Sequence, residues 1–327
     1  MAKVSMQSIA NHFGISKVSV YKAIRNQPGV SKELRKKILA HAQKVGYIRS
    51  DSLDEESFLY IVDKRYFLSD EQFYTKIFFY LNQQIELNHG NLDLLIYDHS
   101  DNFLNRLKQV LPKSAIFLAG ETDDAFMDAL SDLDVPVITV DFISNQYDFD
   151  YLYINNYHSS MVATQYLVDK GHKDIGLICD IRSANSNTDR FYGFQKALLL
   201  NDIQYNPSWL IDKNIEQYSL DDFTLPGHLP TAFICHCDKA AQQLYLKLKM
   251  ETDLTIGKDI SVISFDNTEL CEALKPKLTS VGLTSETIAQ NAFELAKTRL
   301  SNRRGEKIKL SIYPEITIRD SIATLSE

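Results

Sequence analysis

Cysteine is scarce. Four in 327 residues (Cys179, Cys235, Cys237 and Cys271) are too few to cross-link a chain this long, which excludes a disulfide scaffold and leads us to expect a reducing, cytoplasmic setting. Long apolar runs are also missing. The longest, such as Ala115-Ile116-Phe117-Leu118-Ala119, are strand-sized and fall short of the roughly 18 residues of a membrane span. The opening Met1-Ala2-Lys3-Val4-Ser5-Met6-Gln7-Ser8 lacks the apolar stretch of a secretion signal. With 12 glycines, 8 prolines, and 24% charged and 44% hydrophobic residues, the chain is neither collagenous nor disordered and suits two or three globular domains.

Enzyme signatures are absent as well. No Gly-x-Gly-x-x-Gly follows a strand, no glycine-rich loop ends in Gly-Lys-Ser/Thr, and neither Gly-x-Ser-x-Gly nor His-Glu-x-x-His occurs. The expectation is a protein that is not an enzyme and needs no cofactor. Cys235-His236-Cys237-Asp238 has no second half of a zinc site, and alternation along a strand would turn His236 away from the two thiols. We therefore expect no metal, but a strand end followed by Asp238 as a helix N-cap.

What the first fifty residues lack is acid: ten Lys/Arg stand against Glu33 alone, whereas the remaining 25 bases face 42 acids. A small basic module thus precedes a large acidic body, and nucleic acid is the natural partner of the first part only. The module reads as three short helices. Ser5 caps the first, with Met6, Ile9, Ala10 and Phe13 on one side, and Gly14 ends it. Ser16 caps the second, which turns Val20 and Ile24 inward; after Pro28-Gly29, Ser31 caps the third, carrying Leu34, Ile38 and Val45. This is a helix-turn-helix pattern, whose second helix enters the major groove. Lys17, Val18, Tyr21 and Lys22 are its outward positions. Lys22 suits guanine O6/N7 and Val18 a thymine methyl, while Ser5, Ser16, Ser19, Ser31 and Arg35 suit phosphates.

From residue 58 onward, apolar segments at 58–62, 92–97, 115–118, 135–140, 175–179, 232–235 and 260–265 alternate with helical patterns at 73–87, 125–130, 160–170, 192–201, 239–250 and 284–301. Such alternation implies parallel sheets, and about 270 residues is too many for one of them, so two Rossmann-like lobes with a cleft are expected.

The run Ser5-Met6-Gln7-Ser8-Ile9-Ala10-Asn11-His12-Phe13-Gly14-Ile15-Ser16, followed by Val18-Ser19-Val20-Tyr21-Lys22-Ala23-Ile24, Pro28-Gly29-Val30-Ser31 and Gly46-Tyr47-Ile48, resembles the headpiece of the LacI/GalR family of bacterial transcription regulators. The resemblance continues through Gly171-His172-Lys173-Asp174-Ile175-Gly176, Arg190-Phe191-Tyr192-Gly193-Phe194, Thr231-Ala232-Phe233-Ile234, Ser264-Phe265-Asp266-Asn267, Leu278-Thr279-Ser280-Val281 and Arg319-Asp320-Ser321, nearly the whole chain. It implies that Lys17, Val18 and Lys22 read bases. Arg25 replaces the family's usual polar amide, exchanging a directed hydrogen bond for phosphate attraction. It implies a headpiece over 1–50 and a hinge at 51–57. A two-lobed domain like the periplasmic sugar-binding proteins follows, with an N-lobe of about 58–170 and 284–314 and a C-lobe of about 171–283 and 315–327. The three crossings are expected near 170–172, 281–284 and 313–317.

Within Arg49-Ser50-Asp51-Ser52-Leu53-Asp54-Glu55-Glu56-Ser57, Leu53 is the single candidate for a minor-groove wedge, but four carboxylates oppose phosphate; a hinge helix and a flexible acidic tether both remain open. Arg190 and Asp266 fall on ligand-binding positions of the family, where a guanidinium and a carboxylate can hold neighbouring hydroxyls or pair with each other. Phe73, Tyr74 and Tyr218 are candidate aromatic walls, and Asp238 either joins the pocket or caps a helix. The departures Cys237, Asn155 and Ser285 point away from a common monosaccharide. With Glu327 closely following Ser321, a homodimer on a near-palindromic operator is expected. The whole implies a cytoplasmic, allosteric repressor with no membrane partner, whose cleft binds a small carbohydrate-like effector. Alternatives are a vestigial cleft answering to a protein corepressor or to nothing, and a cytoplasmic sugar-binding protein or enzyme.

Overall fold

The computed structural model describes residues 5–24, 29–45, 47, 56–67, 73–213, 215 and 223–325, and contacts divide the chain into two units. The first is built on α1 (Met6–Phe13), α2 (Lys17–Ile24) and α3 (Lys32–Lys44). Ser5 and Ser8 form a reciprocal capping box, and Gly14 closes α1 at φ 63°, a left-handed conformation that glycine adopts without strain. Ser16 Oγ accepts from Ser19 N–H, and Ser31 Oγ from Leu34 N–H, so the same device starts all three helices. Ile9, Ala10, Val20, Ala23, Ile38 and Ala42 are fully buried, which fixes the faces that turn outward. His12 on α1 and His41 on α3 stack with ring centres 3.6 Å apart.

The second unit carries two sheets. The N-lobe elements are β1 (Ser57–Asp63), α4 (Lys64–Phe67), α5 (Phe73–Leu87), β2 (Asn91–Tyr97), α6 (Phe103–Gln109), β3 (Ala115–Ala119), α7 (Asp124–Ser131), β4 (Val137–Val140) and β5 (Asp150–Ile154). The C-lobe follows with α8 (Asn156–Asp169), β6 (Ile175–Ile178), α9 (Asn185–Leu200), β7 (Leu210–Ile211), β8 (Ala232–Cys235), α10 (Asp238–Glu251), β9 (Ser261–Phe265), α11 (Leu270–Ala273) and β10 (Thr279–Gly282). The chain returns to the first lobe with α12 (Ser285–Ser301) and β11 (Lys309–Ile312) and ends in the second with β12 (Glu315–Thr317). The sheet orders are β11-β5-β4-β3-β1-β2 and β12-β10-β9-β8-β6-β7. β12 runs antiparallel to β10, at the edge of the second sheet.

Strand alternation separates the core into layers. Phe58, Tyr60 and Val62 pack with Phe117, Ile138 and Val140 beneath α5 and α12, while Leu59 and Ile61 pack with Ile116, Leu118 and Val137 on the other face. In the C-lobe, Ile178, Phe233 and Val262 lie on one side and Ile175, Leu177, Ile234, Ile263 and Phe265 on the other. Each sheet is therefore covered on both faces, the arrangement that parallel strands require.

Several placements differ from the sequence-based expectation. The helical pattern begun at 160 starts at Asn156, and that begun at 192 starts at Asn185. The first crossing lies at residues 154–156 and not at 170–172, because α8 packs on α9; a Cβ on Gly193 of α9 would sit 2.1 Å from the Tyr157 carbonyl oxygen of α8. Periodicity shows which helix face is buried but not which sheet buries it. Strands β5, β7, β10 and β11 and helices α4, α6 and α11 were not anticipated, and Ser57, assigned to the linker, opens β1. The chain passes between the two sheets again at 282–285 and 312–315.

Candidate functional site

On the first unit, Lys17, Val18 and Tyr21 project from α2 into solvent, Val18 being 61% and Tyr21 43% exposed. Lys22 is half-buried because its side chain lies along the turn at Gly29. Ser5, Ser16 and Ser31 are exposed at helix starts, Ser19 pairs with Ser16 through its hydroxyl, and Arg35 lies on the first turn of α3. Each capping serine uses a lone pair for its own helix and keeps its hydroxyl proton available to an acceptor. Arg25 and Leu53 lie outside the described residues, as does Tyr218.

Between the lobes, the functional groups sit just past the carboxyl ends of strands, where open α/β sheets place ligands. Asp266 follows β9 with φ 95°, and Asp141 follows β4 with φ 70°. Both strands are third from the β12 and β11 edges of their sheets, so the lobes present matching aspartates. A non-glycine residue held in this region stores about 1–3 kcal/mol of strain, which tends to concentrate at binding sites.

Arg190 of α9 is the hub. Its Nε donates to Asn156 Oδ1 at 3.0 Å, one terminal nitrogen to the His236 carbonyl, and the other to Asp266 Oδ1 at 3.4 Å; the guanidinium lies 4.7 Å from the Phe265 ring centre. Arg190 and Asp266 therefore pair with each other while remaining partly accessible. From the N-lobe, Tyr74 donates to Asp141 Oδ2 at 3.0 Å, and Phe73 packs edge-on against Tyr74. Burial pushes the Asp141 carboxyl up to about 6, against the Tyr74 hydroxyl and the Arg190 charge, which pull it down. Arg190 thus senses the opposite lobe. Two contacts bridge the lobes: Glu121 Oε1 accepts from Asn185 N–H at the start of α9 (3.1 Å), and Lys76 pairs with Glu269 (2.9 Å).

Asp238 has a different role from either expected one. Cys237 is the N-cap of α10, its sulfur accepting from Ala240 N–H, and Asp238 is the first helical residue. Asp238 is 1% exposed, and its carboxylate accepts from the Ser264, Ser280 and Thr268 hydroxyls and from Thr268 N–H. All its contacts are internal, tying α10 to β9 and β10. His172, prominent in the resemblance, is also structural: its ring nitrogens meet Thr231, Ser261 and the Ala323 carbonyl, anchoring the C-terminal segment. Among the described residues, no group of three His, Cys, Asp or Glu could hold a metal, and no helix is long and apolar enough to cross a membrane.

Sequence reasoning missed Asp141, Glu121, Asn156 and Asp189. A carboxylate or amide immediately after a predicted parallel strand was the available signal for Asp141 and Glu121; nothing local marks the other two.

The family model of the periplasmic binding protein-like domain matches residues 164–322. The HTH-type transcriptional repressor PurR of Vibrio campbellii is 26% identical over 236 residues, 71% of this chain and 70% of that one. Among solved structures, the lac repressor dimer bound to operator and an anti-inducer covers 99% of both chains at 18% identity with TM-score 0.69. The complex of the regulator CelR with cellobiose covers 98% of this chain and all of that one, at 18% identity with TM-score 0.68. These relatives are transcription regulators and not enzymes. The helical head, the paired parallel-sheet lobes and the sequence matches make this chain similar to transcription regulators of the LacI/GalR family.

Proposed function

We propose that the chain is a dimeric, operator-binding repressor in which α2 reads the major groove and a small polar effector in the interlobe cleft shifts affinity for DNA. The observation that carries the DNA-binding reading is the outward face of α2, with Lys17, Val18 and Tyr21 exposed while Val20 and Ala23 of the same helix are buried in the core of the unit. Lys22 completes the base-reading set, and Ser5, Ser16, Ser19, Arg25, Ser31 and Arg35 hold phosphates. Two such units on a symmetric dimer select a near-palindromic site. Leu53 serves as the hinge residue.

In the cleft, Arg190, Asp266, Tyr74 and Phe73 form the effector site, joined by Asp141; Tyr218 is added to it on the sequence alone. A structural neighbour with cellobiose bound supports a hydroxyl-rich effector. Affinity changes through a coupling free energy, typically about 1–3 kcal/mol.

The test is gel retardation on DNA selected by the protein from a random pool. Binding should weaken steeply with salt, as counterion release demands. Lys22→Ala should cost about 1–3 kcal/mol and relax preference at one operator position. Equal loss on all sequences would make Lys22 a phosphate contact, and no retardation at low salt would overturn the reading. One observation favours a second reading, a vestigial cleft: Arg190 already donates to three protein groups. Thermal-shift screening against sugars separates the two, since a vestigial cleft stays silent.

A further inference from the structure

Between the lobes lies a cavity of about 470 Å³, walled on one side by residues following β3 and β4 and on the other by the first turns of α9, where Asp189 precedes Arg190 in the chain. Its lining contains Glu121, Asp124 and Asp189 and no Lys, Arg or His. Ser144, Asn145, Gln146 and Asn185 supply neutral hydrogen-bonding groups, and Phe142 and Tyr147 supply apolar surface.

Two features mark this lining as incomplete. Thr122 Oγ1 is buried and has no hydrogen-bond partner among the described residues, although it lines the cavity. Asp189 makes no hydrogen bond or ion pair within the described residues, yet lies close enough to Glu121 that its charge raises that carboxyl, in addition to the effect of burial. Burial raises the Asp189 carboxyl as well, with Arg190 opposing. Arg190 is turned toward Asn156, His236 and Asp266, and Arg65 donates to the Glu121 carbonyl, its charge opposing in part the rise at Glu121; among the described residues neither cation forms an ion pair with Glu121 or Asp189. Two carboxylates on one cavity, Glu121 half-buried and Asp189 more exposed, repel each other, and a ligand cation placed between them removes that repulsion while forming charge-assisted hydrogen bonds.

We propose that the effector of this cleft carries a protonated amine, seated between Glu121 of the N-lobe and Asp189 of the C-lobe, with its hydroxyls toward Asp266 and Arg190. The proposal rests on the reading of the interlobe cleft as the effector site. Because the amine is held from both lobes, the same contact favours lobe closure, and anionic compounds such as sugar phosphates are excluded by the acidic lining.

The experiment is a thermal-shift panel on the full-length protein with matched triplets. Hexosamines are compared with their N-acetyl and phosphate-ester counterparts, and linear polyamines with the corresponding diols and diol phosphates, all at millimolar concentration. Stabilisation by amines only is the expected result. In Glu121→Gln/Asp189→Asn, the best amine should bind about tenfold more weakly or worse, as loss of charge-assisted hydrogen bonds demands. Stabilisation by phosphates, or equally by an amine and its N-acetyl counterpart, overturns the amine assignment and leaves the cleft an effector site. Silence across every triplet overturns both. If the double variant fails to fold, Asp189→Ala alone at the exposed α9 position reads the same loss.

Discussion

Replacing Asp238 by alanine separates a structural carboxylate from a ligand-binding one. The Asp238 side chain accepts four hydrogen bonds, from Ser264 Oγ (2.5 Å), Ser280 Oγ (2.8 Å), Thr268 Oγ1 (2.8 Å) and Thr268 N–H (2.6 Å). Hydrogen bonds to a charged group contribute about 1.5–3 kcal/mol each, but the three hydroxyls can rotate to other acceptors, whereas the Thr268 N–H is fixed. Counting the fixed donor in full and the rotors at a fraction gives about 3–5 kcal/mol for Asp238→Ala. Asp238→Asn retains one acceptor and should cost about half that, because its amide can donate to hydroxyls that turn to accept. Trp209, the single tryptophan, is buried in the C-lobe with its indole N–H on the His228 carbonyl, so its fluorescence during urea unfolding reports that lobe. Measurements at one protein concentration keep any dimer linkage constant. The reasoning is refuted if Asp238→Ala unfolds within about 1 kcal/mol of the parent, or if alanine costs no more than asparagine.

Arg299 and Asp150 form a fully buried bidentate pair at 2.6 Å that joins α12 to β5, and Arg299 also donates to three carbonyls beyond the helix end. Arg299→Ala should cost about 3–5 kcal/mol because Asp150 stays buried without its partner, whereas Arg299→Met/Asp150→Leu should recover only part of the loss, since three carbonyls and the Ile308 N–H still lack their partners. Hydrogen exchange of the β5 and α12 amides checks this; parent-like protection in Arg299→Ala would contradict it. Asp141, with its carboxyl raised to about 6, binds a proton more tightly folded than unfolded, so its contribution is complete below about 4 and disappears as pH rises through about 6. Asp141→Asn keeps an acceptor for Tyr74 and suits the left-handed φ, so it should flatten that window and be more stable than the parent at pH 7.5. Chemical unfolding from pH 4 to 8 measures both slopes, and parallel slopes would contradict the assignment.

The three-helix head was legible because its determinants are local. Ser5, Ser16 and Ser31 each cap an amide three residues ahead, and Gly14 ends α1 by its own conformation. Alternating strands and helices were legible for the same reason. The lobe that receives α8 was not, because its choice depends on Gly193 meeting the Tyr157 carbonyl, a packing contact between two helices. Arg190 and Asp266 were found through motif resemblance, which left open whether they hold a ligand or pair with each other; in the structure they pair. Asp141 lies 67 residues from Tyr74 and Glu121 lies 64 from Asn185, so neither carries a sequence mark of its partner. Asp238 was misread because an acid after a strand resembles a cap, whereas Cys237 holds that position.

The central claim, a basic head used in pairs to read DNA, is tested most directly by hydroxyl-radical footprinting of the full-length protein on its selected DNA. The account expects two protected patches related by a dyad and about one helical turn apart, with two chains per duplex. A single protected patch, or one chain per duplex, would contradict it.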